Sequence, residues 1–203
     1  MNKQDHWENI YKNKELTKVG WFQERPGLLL EIIEKRLPNL QSSIIDVGSG
    51  STLLTDLLLA AGYENLTLLD LSQAALDKAQ ARIGSAAEKL NWVVGDVLEY
   101  EGKQQFDLWH DRACFHFLLG DEERNRYFQS MTQALKPGGL ALISTFAVQG
   151  PEKCSGLPVQ RWGEEEIKLA LSDSYSHLAS FEETHQTPTG VPQAFSIFLF
   201  QKK

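Results

Sequence analysis

Short apolar segments alternate with amphipathic helical patterns along most of this chain, and this alternation constrains the fold more than any other feature. The predicted strands share an apolar run bounded by turn residues: 42–47, 65–70, 90–94, 106–110 and 140–146. The predicted helices share apolar residues at helical spacing: 27–37, 51–61, 72–83 and 121–135. Strands that alternate with helices pair in parallel, because each parallel link needs a crossover of about a dozen residues.

The C-terminal part of the sequence departs from this alternation. After a helix predicted at 164–171, two strands at 181–187 and 194–201 are joined by the short turn-rich segment PTGVPQ, so they should pair antiparallel. A Gly- and Pro-rich stretch at 148–161 is interpreted as a loop-like insertion. The sequence therefore predicts an α/β fold: a Rossmann-like, doubly wound, mostly parallel seven-stranded sheet that ends in an antiparallel hairpin.

Composition excludes several classes of partner. The 203 residues favour one domain, and a net charge of -7 gives no support for a nucleic-acid partner, because such affinity comes from clustered Lys and Arg. Cys114 and Cys154 offer neither a disulfide framework nor metal-ligand spacing, so no metal is expected. The sequence shows no secretory signal and no apolar run long enough for a bilayer, which predicts a cytoplasmic protein with no membrane partner.

Acidic residues lie at or just beyond the carboxyl ends of four predicted strands: Asp46, Asp70, Asp96 and Asp111. In a doubly wound sheet, ligands bind beyond the carboxyl ends of the strands, so these side chains should meet at one edge. Small residues at 48–50 allow a tight turn and a close approach of the backbone to a ligand. The sequence therefore predicts a ligand site at the carboxyl edge of the sheet.

Two classes of cofactor compete for this glycine loop. A dinucleotide favours GxGxxG, and here Leu53 occupies the sixth position, which breaks that pattern. Asp46, two residues before the first glycine, suits a cationic group better than a pyrophosphate. S-adenosylmethionine carries an ammonium and a sulfonium group and no phosphate, so it is the favoured cofactor. A nicotinamide-dependent dehydrogenase remains an alternative.

Five short motifs occur in order along the chain: IIDVGSG at 44–50, LLDLS at 68–72, GDV at 95–97, FDLWHDRACFHF at 106–117 and LKPGG at 135–139. In this order the motifs resemble those of the class I S-adenosylmethionine-dependent methyltransferases, over about residues 40–200. Ser51 stands where many members carry a third glycine, a position that varies in the family. The resemblance implies the Rossmann-like fold and S-adenosylmethionine as cofactor.

The resemblance also implies roles for residues at matching positions. Asp70 would accept hydrogen bonds from the ribose hydroxyls, and Asp96 would reach the adenine amine. The implied cofactor-binding residues of the sheet edge are Asp46, Gly48, Gly50, Asp70, Leu71, Asp96, Val97 and His110. Simple turn glycines and strand-end carboxylates are the alternative interpretation of these positions.

Aromatic residues near the start carry a narrower resemblance. Trp7 and Tyr11 are four apart, as on one helix face, and Trp21 follows in a WF pair. This pattern is similar to the aromatic lid of thiopurine and related thiol methyltransferases, and to segments of protein lysine methyltransferases. A sulfonium over an aromatic face gains cation–π energy. We therefore expect residues 1–37 to form a helical lid that contacts the cofactor and residues 38–203 to form the methyltransferase domain; simple packing against the core is the alternative.

Candidates for the transfer step follow the fourth strand. Methyl transfer is an in-line displacement, and a neutral acceptor needs a proton acceptor, so Asp111 and His116 are the candidate catalytic residues. Arg112 and Arg161 are the candidate substrate-binding residues. A packed, hydrogen-bonded His116 and a structural Asp111–Arg112 ion pair are the alternatives.

The predicted function is S-adenosylmethionine-dependent methyl transfer to a small-molecule acceptor, such as a thiol or a metalloid, by a monomer or homodimer. The aromatic segment also fits a protein lysine methyltransferase. A third possibility is a module that binds an adenosine derivative without catalysis.

Overall fold

A computed structural model describes residues 2–203. The main sheet has seven strands in the order β3-β2-β1-β4-β5-β9-β8, and two short strands, β6 and β7, pair separately. The strands are β1 Ile44–Val47, β2 Leu66–Asp70, β3 Asn91–Val94, β4 Phe106–Arg112, β5 Leu135–Phe146, β6 Lys153–Cys154, β7 Leu157–Pro158, β8 Tyr175–Gln186 and β9 Pro192–Lys202. The helices are α1 Lys3–Asn13, α2 Gly27–Arg36, α3 Leu54–Ala60, α4 Gln73–Ile83, α5 Asp121–Ala134 and α6 Glu164–Leu171.

The pairing confirms the predicted fold class. Strands β3, β2, β1, β4 and β5 are parallel, whereas β9 is antiparallel to both β5 and β8. The long β8–β9 hairpin closes the sheet at its C-terminal edge. The chain order reverses direction between β1 and β4, which is the switch point at which doubly wound sheets bind ligands.

Several element boundaries differ from the sequence prediction. The predicted loop at 148–161 contains the small hairpin β6–β7, whose turn has positive φ at Ser155 and Gly156. Strand β8 begins at Tyr175 rather than at 181, because its polar first half pairs with the end of β9. Strand β4 runs two residues beyond His110, where it continues to pair with β5. Pairing with a neighbouring strand sets these boundaries, and the local pattern of apolar residues contains no information about that pairing.

Apolar side chains cover both faces of the central sheet, as parallel strands require. On one face Ile45 and Trp109 pack in the cluster that includes residues of α5, while on the other Ile44 and Leu108 pack with residues of α2 and α3. Side chains alternate along a strand, so Asp46, His110 and Arg112 project towards the α2 side. This alternation decides which polar residues meet at the carboxyl edge.

Within residues 2–203, no helix is both long and apolar enough to cross a membrane.

Candidate active site

A cleft of about 730 Å³ opens at the carboxyl edge of the sheet, beside the ends of β2, β3 and β4 and the loop after β1. Its lining includes most of the residues predicted to bind the cofactor, together with one predicted substrate residue: Trp7, Tyr11, Trp21, Gly48, Asp70, Leu71, Asp96, Val97 and Arg112. A second cavity of about 330 Å³ lies beside it and is lined by Asp46 and His110. The two cavities share Trp21, Gly48, Thr52 and Arg112 in their walls.

Asp70 at the end of β2 joins the glycine loop to the next helix. One carboxylate oxygen accepts a hydrogen bond from Gly50 N at 2.8 Å, and the other accepts one from Ser72 N at 2.8 Å. The Ser72 hydroxyl in turn accepts from Ala75 N at 3.1 Å and caps α4, as predicted. Burial raises the pKa of Asp70 to about 6, although both backbone bonds oppose the shift.

The loop between β1 and α3 depends on two glycines in the left-handed region. Gly48 has φ +60° and Gly50 has φ +56°, a conformation that side chains disfavour. A Cβ at Gly48 would lie 2.7 Å from Cys114 Cβ, and a Cβ at Gly50 would overlap the Tyr11 hydroxyl. The backbone therefore approaches its neighbours at both positions as closely as glycine allows.

Asp46 and His110 form a buried pair below this loop. Asp46 Oδ1 lies 2.7 Å from His110 Nδ1, and β1 and β4 place the two residues directly opposite each other. The other ring nitrogen, Nε2, is buried and has no hydrogen-bond partner within residues 2–203. The pair offers a polar wall to the smaller cavity.

Asp96 lies at the far end of the cleft. Its carboxylate accepts from Leu98 N at 2.9 Å and begins the short helical turn Val97–Glu99. Asp96 and Val97 therefore line the cleft from a fixed turn directly after β3.

Aromatic rings from the N-terminal segment cover the cleft. Trp7 on α1 lies 5.7 Å from Trp21 and 5.2 Å from Phe117 between ring centroids, and Tyr11 lies 6.0 Å from Trp21. Phe117 was not predicted as a site residue. It lies within the FDLWHDRACFHF motif, but nothing in that pattern distinguishes it from a core residue.

Helix α1 is fastened to the loop that follows Asp70. Gln4 Nε2 donates to Leu71 O at 3.3 Å, and Glu8 Oε2 accepts from Ser72 Oγ at 2.7 Å and from Ala74 N at 3.1 Å. These bonds lower the pKa of Glu8. Sequence reasoning missed Glu8, because no local signal links it to a helix start 64 residues away.

Asp111 faces away from both cavities. Its carboxylate accepts from Cys114 N and Phe115 N, each at 3.0 Å, and from the Tyr127 hydroxyl at 2.8 Å. Because β4 alternates, Asp111 and Arg112 project to opposite faces, and no Asp111–Arg112 ion pair forms among the described residues. These bonds hold the loop after β4, and Asp111, predicted as a catalytic residue, lines neither cavity.

Two further candidates also lie outside the walls of both cavities. His116 is buried, accepts from Phe146 N at 3.4 Å, and has a pKa lowered by burial to about 3, so its ring is neutral at physiological pH. Arg161 donates to Gly150 O at 3.3 Å and lies 3.4 Å from a Glu152 oxygen. The structure thus places Arg112, but neither His116 nor Arg161, beside the predicted cofactor residues.

Asp111→Asn should change how stability depends on pH. Burial raises the pKa of Asp111 to about 6, so the folded protein binds this proton more tightly than the unfolded chain does. The wild-type protein should therefore lose about 1–3 kcal/mol relative to Asp111→Asn as pH rises from 4 to above 6. Urea unfolding of both proteins across this range measures the difference; equal slopes would show that the carboxylate does not titrate there.

Comparisons with known proteins match both the central part of the chain and most of its length. Residues 44–139 match a family model described as a methyltransferase domain. Malonyl-[acyl-carrier protein] O-methyltransferase 2 of Ilyobacter polytropus is 28% identical over 152 residues, which cover 70% of this chain and 57% of that protein. The human EEF1A lysine methyltransferase 2 is 25% identical over 193 residues, which cover 86% of this chain and 74% of that protein. The chain thus spans little more than half of the first relative.

Solved structures share the fold over nearly the whole chain. An S-adenosylmethionine-dependent methyltransferase from Anabaena variabilis has a TM-score of 0.78 at 18% identity and covers 100% of this chain and 96% of its own. A Burkholderia thailandensis 1,6-didemethyltoxoflavin N1-methyltransferase, solved with S-adenosylhomocysteine, has a TM-score of 0.70 at 20% identity and covers 96% of this chain and 81% of its own.

The methyltransferase domain matched at residues 44–139, the curated relatives and the shared fold support a class I S-adenosylmethionine-dependent methyltransferase. S-adenosylmethionine is the cofactor of this class, and the residues present fit it. Gly48 lines the cleft together with Asp70 and Asp96, so a backbone without a side chain and two carboxylates face the same space. No group of three or more His, Cys, Asp or Glu in the described part of the chain could hold a metal ion.

Proposed function

We propose that the protein catalyses methyl transfer from S-adenosylmethionine to a small-molecule acceptor, with thiols and metalloid oxyanions as the first classes to test. The observation that carries this proposal is the cleft itself, in which Asp70, Asp96 and the glycine loop lie opposite a wall of aromatic side chains. The cofactor, when bound, supplies a methyl group activated by a sulfonium. All other contributions come from residues of this chain.

The proposed contributions of the chain are binding, orientation and the exclusion of water. Asp70 and Asp96 would bind the ribose and the adenine, and Gly48, which lines both cavities, would let the methionine part approach the backbone. Gly50 was predicted beside it, but it lies against Tyr11 and lines neither cavity. Trp7 and Trp21 would exclude water from the reacting groups. Holding an acceptor atom about 3–3.5 Å from the methyl group, in line, supplies several kcal/mol of the barrier reduction. A thiol, with an ordinary pKa of about 8.5, ionises readily without a dedicated base.

The relatives act on several kinds of acceptor, so acceptor class needs a direct assay. Methyl-labelled S-adenosylmethionine would be offered to small thiols, to selenite and tellurite, and to whole-cell protein. Label in the small-molecule fraction is the expected result. The second candidate acceptor is a protein, because the human relative is named as a lysine methyltransferase. In that case the label should appear on lysine side chains of the whole-cell protein. Binding of S-adenosylhomocysteine with no transfer to any fraction would indicate a non-catalytic binding module.

The lid expected at residues 1–37 includes α2, and the proposal limits the lid to the segment before that helix. Helix α2 buries Leu29, Ile32 and Ile33 in the core, so it is fixed to the sheet, whereas α1 reaches the domain through side-chain bonds and ring contacts. A lid that closes over bound cofactor should slow its release.

Glu8→Ala should speed the release of S-adenosylhomocysteine about fivefold. The substitution removes the bonds to Ser72 and Ala74 that hold α1 over the cleft, and a loss of about 1 kcal/mol corresponds to that factor. Stopped-flow dissociation measures the rate, and Glu15→Ala is the matched control, since Glu15 is exposed and pairs only with Lys18. An unchanged rate in Glu8→Ala would show that α1 does not gate release.

A further inference from the structure

The Arg112 guanidinium is shielded from solvent and incompletely bonded. It lies at the end of β4 and lines both cavities. Nη1 donates to Trp21 O at 3.1 Å, and the guanidinium carbon lies 4.7 Å from the centroid of the Phe195 ring. Nε and Nη2 are buried and have no hydrogen-bond partner within residues 2–203.

No carboxylate balances this charge at ion-pair distance in the described part of the chain. Burial lowers the pKa of Arg112 to about 10, so the group is still protonated at neutral pH. An unpaired buried cation is costly, and the cost is relieved when an anion binds beside it. Glu183, whose Oε2 is itself buried without a hydrogen-bond partner within residues 2–203, and Asp46 attract the guanidinium from beyond ion-pair distance. Neither carboxylate accepts a hydrogen bond from its two free donors.

The two free donors define the shape of the missing anion. Nε and Nη2 lie on one edge of the planar guanidinium, and their N–H bonds run parallel. This edge matches the two oxygens of a carboxylate in a bidentate pair, a geometry that a lysine ammonium cannot provide. The remaining amino group, Nη1, already donates to Trp21 O, and this bond holds the guanidinium in place.

The position of Arg112 separates it from the predicted adenosine site. In the sheet order, β1 lies between β2, which ends at Asp70, and β4, which ends at Arg112. Two strand spacings correspond to about 10 Å. The neighbours of the guanidinium belong to elements that follow β5 in the chain: Phe195 lies on β9, and Cys154, which also lines the cleft, lies on β6.

We propose that Arg112 binds a carboxylate of the methyl acceptor, so that the substrate class is a small carboxylic acid whose apolar part contacts Trp7, Trp21 and Phe117. This inference rests on the proposed function and narrows it. The carboxylate fixes one end of the acceptor against the Arg112 edge, and the aromatic rings hold the remainder near the cofactor. Arg112 thus acts in binding and orientation.

The test is acceptor binding to the complex with S-adenosylhomocysteine, which needs no turnover. Three pairs of probes differ only in an acid against its amide: benzoate and benzamide, 4-mercaptobenzoate and its amide, and 3-mercaptopropionate and its amide. Calorimetry should show at least a tenfold preference for the acid in one pair or more. Arg112→Met should reduce that preference below threefold, and Arg112→Lys should retain only part of it, because a point charge lacks the two-donor edge.

Controls separate this inference from the proposed function. Arg126→Met removes an exposed arginine that lies 3.7 Å from Glu99, and it should leave every affinity unchanged. Thermal unfolding shows whether each variant is folded; if Arg112→Met is not, the Arg112→Lys comparison decides. Absence of S-adenosylhomocysteine binding to the wild-type protein would overturn the proposed function itself.

Two results would overturn the inference while the proposed function stands. One is S-adenosylhomocysteine binding without an acid preference in any of the three pairs, or with a preference that survives in Arg112→Met. The other is a loss of S-adenosylhomocysteine affinity in Arg112→Met while 5′-methylthioadenosine, which lacks the amino-acid part, binds as before. That second result would assign the guanidinium to the carboxylate of the cofactor.

Discussion

Asp70→Ala should weaken the binding of S-adenosylhomocysteine by at least tenfold, which corresponds to about 1.4 kcal/mol. Two losses contribute. The carboxylate is the proposed acceptor for the ribose hydroxyls, and its two oxygens also hold Gly50 N and Ser72 N, each at 2.8 Å. Alanine removes the ligand contact and leaves two backbone donors without their acceptor, so the loop loses its fixed position.

Titration calorimetry measures this affinity, and the choice of variants separates the two losses. Asp70→Asn keeps an acceptor oxygen of similar shape without the charge, so it should bind S-adenosylhomocysteine with an affinity between those of the wild-type protein and Asp70→Ala. Asp77→Ala is the matched control, because Asp77 is an exposed acidic residue on the adjoining helix α4. An unchanged affinity in Asp70→Ala would remove Asp70 from the cofactor site.

Gly48→Ala should abolish measurable cofactor binding and lower the stability of the protein. The new Cβ would lie 2.7 Å from Cys114 Cβ, in a backbone conformation with φ +60° that costs about 1–2 kcal/mol for a side chain. The contact is with an atom next to the backbone, so relief requires the loop or the segment after β4 to move. Both segments line the cleft, and either movement changes its shape.

Other glycines in the chain allow the two causes to be separated. Gly190 has φ +81° with nothing within 4 Å of a built Cβ, so Gly190→Ala carries the conformational cost without the clash. Gly20→Ala carries neither, since Gly20 has open space and no positive φ. Gly48→Ala should therefore lose more stability in urea unfolding than Gly190→Ala. Adding Cys114→Gly should restore part of the binding; equal losses in the two single variants would mean that the close approach has no consequence.

The order of strands and helices could be predicted from the sequence because each element carries its own periodicity. The end of β2 at Asp70, the cap at Ser72 and the helix at 164–171 lie where the pattern placed them. The glycine loop could also be predicted from the sequence, since few residue types other than glycine adopt positive φ. These features depend on neighbours a few residues apart, which the sequence records directly.

Local signals were weaker where a partner strand or a packed neighbour sets the structure. The predicted end of β4 at His110 gave no reason to separate Asp111 from Arg112, yet pairing with β5 extends the strand and places them on opposite faces. One side chain consequently fixes a loop, and the other enters the cleft. His116 could be a base by residue type alone, but it is buried and its pKa falls to about 3.

The fold class, the carboxyl edge as the place of the candidate site and the glycine loop could all be predicted from the sequence, because they follow from short-range patterns and backbone sterics. The folded arrangement was needed to show which polar groups face the cleft and that Glu8 ties α1 to the start of α4. It was also needed to show that two donors of Arg112 are buried without partners among residues 2–203. The physical reason is that burial, the facing of side chains and hydrogen-bond satisfaction depend on residues distant in the chain, and no local pattern encodes their positions.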